Sequence, residues 1–111
     1  MHELGLCASI VDAIERRAGE RAVARVKVRV GRFHHVHPEA FDQSFEIAAT
    51  GTVAEGAEAE LFLVPLEATC DACGTTTEVD DAVPACPACG AFEPAFRGGD
   101  ELVLESIEYR A

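Results

Sequence analysis

The chain has 111 residues, 9 of them basic and 20 acidic, for a formal net charge of −11 and a pI near 4.6. That length is one domain, or one with a small appendage, and buries only somewhat over ~60% of its unfolded surface. The acidic balance repels phosphate backbones and anionic bilayers, so nucleic-acid and membrane-surface binding are excluded as first readings.

No apolar run approaches the ~20 residues of a transmembrane helix. The opening Met1-His2-Glu3-Leu4-Gly5-Leu6 also lacks the basic start and apolar stretch of a secretory signal. The expected location is cytoplasmic, and five cysteines in a reducing compartment point to metal or free thiols rather than disulfides.

In chain order, Leu4, Cys7, Ile10, Val11, Ile14 and Ala18 recur at helical spacing, and Gly19 supplies a stop. Cys7 in this stripe reads as a small buried hydrophobe. Val26, Val28 and Val30 alternate with Arg25, Lys27 and Arg29, which predicts a strand with an apolar and a basic face. A loop of Arg32-Phe33-His34-His35-Val36-His37 follows. Pro38 fits the first position of a second helix running to about Thr50, with Phe41, Phe45 and Ala48 or Ala49 inward. Further strands are expected over about 60–66 and 101–109. Between them, residues 69–90 contain four cysteines, two prolines and few large apolar side chains, too little for a core unaided.

Cys70-Asp71-Ala72-Cys73 and Cys86-Pro87-Ala88-Cys89 are two Cys-x-x-Cys units separated by twelve residues, each followed by a glycine, Gly74 or Gly90. Two intervening residues let the chain turn so that both sulfurs face one point. Two such hooks supply four thiolates, the tetrahedral set that suits one structural zinc ion. With all four positions taken, the ion has no open site for catalysis. An iron–sulfur cluster would use the same four sulfurs, and a redox protein would leave one pair superfluous. With zinc held by four thiolates the formal charge becomes −11 + 2 − 4 = −13. His37-Pro38-Glu39 has the H-x-E form of zinc deaminases, but Ala85 rather than proline precedes Cys86 and the first cysteine pair would be idle. No catalytic residues are assigned.

At the front, the Met1 amine, the His2 amide nitrogen and the His2 imidazole lie within chelating reach of one ion. Nickel(II) and copper(II) favour planar nitrogen sets of this kind. The amine must lose a proton, with a reference pKa of ~7.7–8.0, so affinity falls as pH drops.

Met1-His2-Glu3-Leu4 and Ala8-Ser9-Ile10-Val11 resemble the hydrogenase nickel-incorporation accessory family, HypA/HybF. Val28-Arg29-Val30-Gly31, Pro38-Glu39-Ala40-Phe41, Phe45-Glu46, Gly51-Thr52, Glu55-Gly56-Ala57, the double Cys-x-x-Cys and Leu104-Glu105-Ser106-Ile107-Glu108 follow in the family's order. The resemblance spans essentially the whole chain.

It implies an α+β fold: two helices packed on a small three-stranded sheet, with an inserted zinc-ribbon-like lobe. Residues 1–66 plus 99–111 would form the nickel-binding domain and 67–98 the zinc-binding domain. Nickel would sit at Met1, His2 and Glu3, with Glu3 giving a backbone nitrogen or orienting His2, and zinc at Cys70, Cys73, Cys86 and Cys89. The implied function is a non-enzymatic metallochaperone that delivers Ni(II) to the large subunit of a [NiFe]-hydrogenase alongside a HypB-type GTPase. Some relatives serve urease, and a homodimer is left open. The chain departs from the family at Arg32-Phe33-His34-His35-Val36-His37, where His37 is a candidate extra nickel ligand. The competing reading is a zinc-ribbon adaptor that binds another protein and handles no nickel.

Overall fold

The computed structural model describes residues 2–80 and 84–111. Its elements are α1 (His2–Ala18), β1 (Val23–Gly31), a 3₁₀ turn (Arg32–His34), α2 (Pro38–Ala49), β2 (Glu58–Val64), β3 (Leu66–Thr69), β4 (Thr76–Val79), β5 (Ala95–Arg97) and β6 (Leu102–Tyr109). They form two three-stranded sheets, ordered β2-β1-β6 and β4-β3-β5. The chain divides into two compact units, one of Met1–Arg29, Val36–Phe62 and Val103–Ala111, the other of Val30–His35 and Leu63–Leu102. No helix among the described residues is long and apolar enough to cross a membrane.

The first unit is a helix pair with a sheet. α1 buries Cys7, Ile10, Val11, Ile14 and Ala18, the stripe that its spacing predicts. At the helix start the pattern inverts: Leu4 is exposed, and Glu3 is the buried residue. A buried carboxylate requires partners, and Glu3 has one in the His37 N–H at 3.2 Å. α2 begins at Pro38, whose missing N–H costs a helix nothing at its first turn. It packs Phe41, Phe45 and Ala49 inward, with the Phe41 and Phe45 rings stacked at 6.3 Å. The Cys7 thiol donates to the Phe41 carbonyl at 3.6 Å and is pushed up to about 11 by burial. It is an inert packing group.

β1 is the middle strand of its sheet, and Val23, Val26, Val28 and Val30 are all essentially inaccessible. On the other face Arg25 reaches Glu58 and Glu60 at 3.3 Å each and Glu108 at 3.6 Å. These half-exposed pairs contribute little stability singly, but they fix which strand faces which. β2 begins two residues earlier than its hydrophobic run suggests and also ends two residues earlier, where Pro65 separates it from β3. Leu66 therefore opens the other sheet.

The second unit holds short strands. β3 pairs antiparallel with β4, Leu66 opposite Val79 and Thr69 opposite Thr76. It also pairs antiparallel with β5, Ala68 opposite Phe96. Leu66 and Ala68 give this sheet its small core. Within the same unit, Gly31 and Gly99 cross at backbone contact. The Gly31 N–H donates to the Glu101 carbonyl at 2.7 Å and the Phe33 N–H to the Gly99 carbonyl at 2.8 Å. A Cβ on Gly31 would land on the Gly99 carbonyl group.

This crossing predicts that Gly31→Ala loses about 1–3 kcal/mol, because the obstacle is backbone. Gly5→Ala, in open helix with nothing within 4 Å, gains about 0.5–1 kcal/mol. Urea denaturation of both variants measures the contrast. Equal stability for Gly31→Ala and the wild type would contradict the crossing.

Candidate metal centres

The two Cys-x-x-Cys segments fold as matching knuckles. In the first, the Gly74 N–H donates to the Cys70 carbonyl at 2.8 Å and the Cys70 N–H to the Thr75 carbonyl at 3.1 Å. In the second, the Gly90 N–H donates to the Cys86 carbonyl at 2.8 Å and the Cys86 N–H to the Ala91 carbonyl at 2.7 Å. Gly74 and Gly90 take φ of 72° and 81°, a left-handed conformation that a side chain would strain. Each glycine therefore turns the chain back behind its cysteine pair. Cys70 directly follows β3 and the Thr69 and Thr76 hydroxyls meet at 3.1 Å, so the first knuckle is the loop of the β3–β4 hairpin.

The sulfurs of Cys70, Cys73, Cys86 and Cys89 all lie within 4.8 Å of one another. Across the knuckles, Cys70 Sγ is 3.6 Å from Cys89 Sγ and Cys73 Sγ is 3.8 Å from Cys86 Sγ. A tetrahedral ion with arms of ~2.3 Å to sulfur has sulfur–sulfur edges of ~3.8 Å. The two distances across the knuckles match that edge, so the four cysteines could hold a zinc ion.

Its electrostatics point the same way. Hydrogen bonds from the Thr75 hydroxyl and N–H bring the Cys73 thiol down to about 6. The Cys89 and Ala88 N–H groups lower Cys86, against the effect of burial, and the Ala88 N–H lies 3.4 Å from its sulfur. Cys89 receives the Ala91 N–H, which favours its thiolate, yet the neighbouring sulfurs of Cys70, Cys73 and Cys86 push it up to about 12. Four sulfurs this close do not all ionise on their own; a divalent cation removes the conflict.

The N-terminal candidates are less fully placed. Met1 lies outside the described residues. The His2 side chain is 54% exposed, with Nδ1 3.5 Å from Glu3 Oε1. The Glu3 carboxylate is held down to about 2 by its own backbone N–H and that of His37, against the opposing effect of desolvation, with His2 adding a smaller favourable charge. His37 itself is exposed at the start of α2, joined to Glu3 through its backbone rather than its ring. His34 Nε2 instead sits 2.8 Å from the Asp100 carbonyl in the second unit. The buried state of Glu3 is the feature that helical spacing alone missed. The charged side chain at the head of an apolar stripe is its only trace in the sequence.

A hairpin knuckle repeated as a second knuckle, with four thiols at tetrahedral spacing, defines a small metal-binding protein with a zinc-ribbon-like lobe. The sequence profile of the family described as "Hydrogenase/urease nickel incorporation, metallochaperone, hypA" matches residues 1–109. The chain is 37% identical over 111 residues to hydrogenase maturation factor HypA 2 of Bradyrhizobium diazoefficiens, covering 97% of this chain and 98% of that protein. It is 38% identical over 110 residues to hydrogenase maturation factor HypA of Chlorobium limicola, covering 96% and 95%. Its fold matches the solution structure of the Ni metallochaperone HypA from Helicobacter pylori with a TM-score of 0.62 at 20% identity, over 98% of this chain and 97% of that one. The chain belongs to the HypA family of metallochaperones for hydrogenase nickel incorporation.

Two pH responses follow from the charges. In metal-free, reduced protein, alkylation of Cys73 leads and rises through about pH 6, while Cys89 reacts only at the alkaline extreme. Mass spectrometry after timed alkylation reads the order, and four thiols reacting together near pH ~8.5 would contradict it. Glu3 has a lowered folded-state pKa, so its stabilisation is complete above the ordinary value of 4.5 and disappears as pH falls toward about 2. The stability gap between wild type and Glu3→Gln, followed by denaturant titration, should close over that window. A gap independent of pH would remove the carboxylate's role.

Proposed function

We propose that this protein carries Ni(II) at its front end as cargo and holds Zn(II) in the four-cysteine cluster as a resident structural ion. The observation that carries the zinc half is the sulfur spacing of 3.6 and 3.8 Å in two glycine-closed knuckles. Cys70, Cys73, Cys86 and Cys89 would hold the ion, which would offset half of the four thiolate charges and clip the β4-β3-β5 sheet. Structural zinc of this type contributes on the order of 10–16 kcal/mol at neutral pH, comparable with the stability of a whole small domain. Among its described residues this unit buries few apolar side chains, chiefly Val30, Leu66 and Ala68 with Cys70 and Cys86, and such a clip would supplement that small core.

For nickel, the supporting features are family membership and the chemistry of the first residues. α1 begins at His2, so the amide nitrogens of its first turn have no intrahelical acceptor and stay open to other bonding. A free Met1 amine, the His2 amide and the His2 imidazole would then make a nitrogen set of the planar kind that nickel accepts. Glu3 keeps its carboxylate beside the His2 ring and its own N–H. This favours an orienting role over donation of its backbone nitrogen. The positive end of the α1 dipole opposes a cation there, which weakens binding. Weak binding suits a cargo site. We assign the recipient as the large subunit of a [NiFe]-hydrogenase, with a HypB-type GTPase as co-worker and the cytoplasm as the place of work. The adaptor reading has no observation in its favour once the family is known.

The test is nickel titration of protein with an untagged Met1. The wild type should take up one nickel in addition to one zinc, with the nickel diamagnetic and planar. His2→Ala should lose the nickel and keep the zinc. Undiminished uptake by His2→Ala would overturn the front-end site, and a His37→Ala variant with unchanged stoichiometry and spectrum would leave His37 outside it.

A further inference from the structure

We propose that the four-cysteine cluster is also a peroxide-sensitive switch, whose sulfurs bond in pairs across the two knuckles, Cys70 to Cys89 and Cys73 to Cys86. This rests on the zinc reading above and adds a second state of the same residues.

Four cysteines allow three pairings. Exposure sets one aside. Cys73 and Cys89 are exposed, whereas Cys70 and Cys86 are only 3% and 5% exposed. Joining Cys73 to Cys89 would leave Cys70 and Cys86 to bond with neither open to an oxidant. In the other two pairings each bond joins an exposed sulfur to a buried one, the arrangement of a reacting thiol with a resolving thiol beside it.

Contact decides between those two. The sulfur pairs in donor–acceptor contact run between the knuckles, at 3.6 Å for Cys70 with Cys89 and 3.8 Å for Cys73 with Cys86. Among the described residues no such contact joins the two cysteines of one knuckle. A disulfide of ~2.05 Å then requires a closure of about 1.6–1.8 Å, which side-chain torsions can supply. Both bonds would tie the second knuckle to the β3–β4 hairpin, so disulfides would clip the lobe in place of the ion. Bonds within each knuckle would leave the two unlinked.

The oxidant is hydrogen peroxide. The exposed Cys73 thiolate attacks one peroxide oxygen and the O–O bond breaks. The departing hydroxide takes a solvent proton to become water, and Cys73 is left as a sulfenic acid. The Cys86 thiolate then attacks the Cys73 sulfur: the S–S bond forms, the S–O bond breaks and the hydroxyl leaves as a second water with a second solvent proton. Cys89 and Cys70 repeat the sequence. Two peroxides thus take four electrons from four thiolates and give four waters. The paired sulfurs, no longer charged, release Zn(II) without change of oxidation state.

The test treats the full zinc-replete chain with hydrogen peroxide. A colorimetric chelator reads released zinc, and mass spectrometry of an unreduced digest maps the disulfides. Cleavage before Asp71 separates Cys70 from Cys73, and fragmentation before Pro87 separates Cys86 from Cys89. One zinc should leave for every two peroxides consumed, with the 70–89 and 73–86 bonds dominant. Cys7, fully buried in the first unit, should remain a thiol. Dithiothreitol with added zinc should restore the starting metal content. Bonds within the knuckles, an even mixture of the three pairings, or sulfinic acids in place of disulfides would each overturn the proposal. So would zinc retained through a large excess of peroxide. Metal analysis before the oxidant is added keeps the two readings apart: a chain without zinc refutes the zinc assignment, while the bond map still judges the pairing.

Discussion

Four sulfurs within 4.8 Å of one another cannot all carry charge unless a cation sits among them. The protein sets this conflict up deliberately. Its knuckle N–H groups favour thiolate at Cys73 and Cys86, while the crowd of sulfurs holds the proton on Cys89. The second unit therefore carries a built-in demand for a divalent ion. Its strands are only three or four residues long, too short for apolar packing to hold them strongly. Without a cation, repulsion among thiolates would work against the hairpin that the Thr69–Thr76 contact closes.

The first unit is built differently. Its valines, two phenylalanines and the α1 stripe make a conventional core that owes nothing to metal. What is unconventional is the buried Glu3 at the head of α1. By accepting the His37 N–H it ties the first turn of α1 to the start of α2, a link between residues 34 apart. The exposed His2 ring is thereby carried on an anchored helix start rather than on a loose tail. The cargo site proposed at His2 would gain from this, with an accessible ring on a backbone of fixed origin.

Much of this was legible in sequence because its causes are local. A Cys-x-x-Cys-Gly segment makes a knuckle through its own turn geometry, and α1, β1 and α2 follow from spacing, a proline and the valine–basic alternation. The second sheet was not legible. Thr76-Thr77-Glu78-Val79 and Ala95-Phe96-Arg97 lack the length and alternation that mark a strand, and they become strands only because a hairpin places them beside β3. Nor was the inversion at Leu4 and Glu3, since helical spacing ranks residues by hydrophobicity and has no place for a carboxylate satisfied by a distant backbone. The Gly31–Gly99 crossing joins residues 68 positions apart, and no local signal announces it.

The central claim is that two ions occupy two chemically distinct sites, zinc among sulfurs and nickel among nitrogens. X-ray absorption at both metal edges, on one sample of protein with an untagged Met1 carrying one equivalent of each, tests it most directly. The zinc edge should show four sulfur neighbours near ~2.3 Å, and the nickel edge only light nitrogen or oxygen neighbours. Sulfur in the nickel shell, or nitrogen and oxygen replacing sulfur around zinc, would contradict the account.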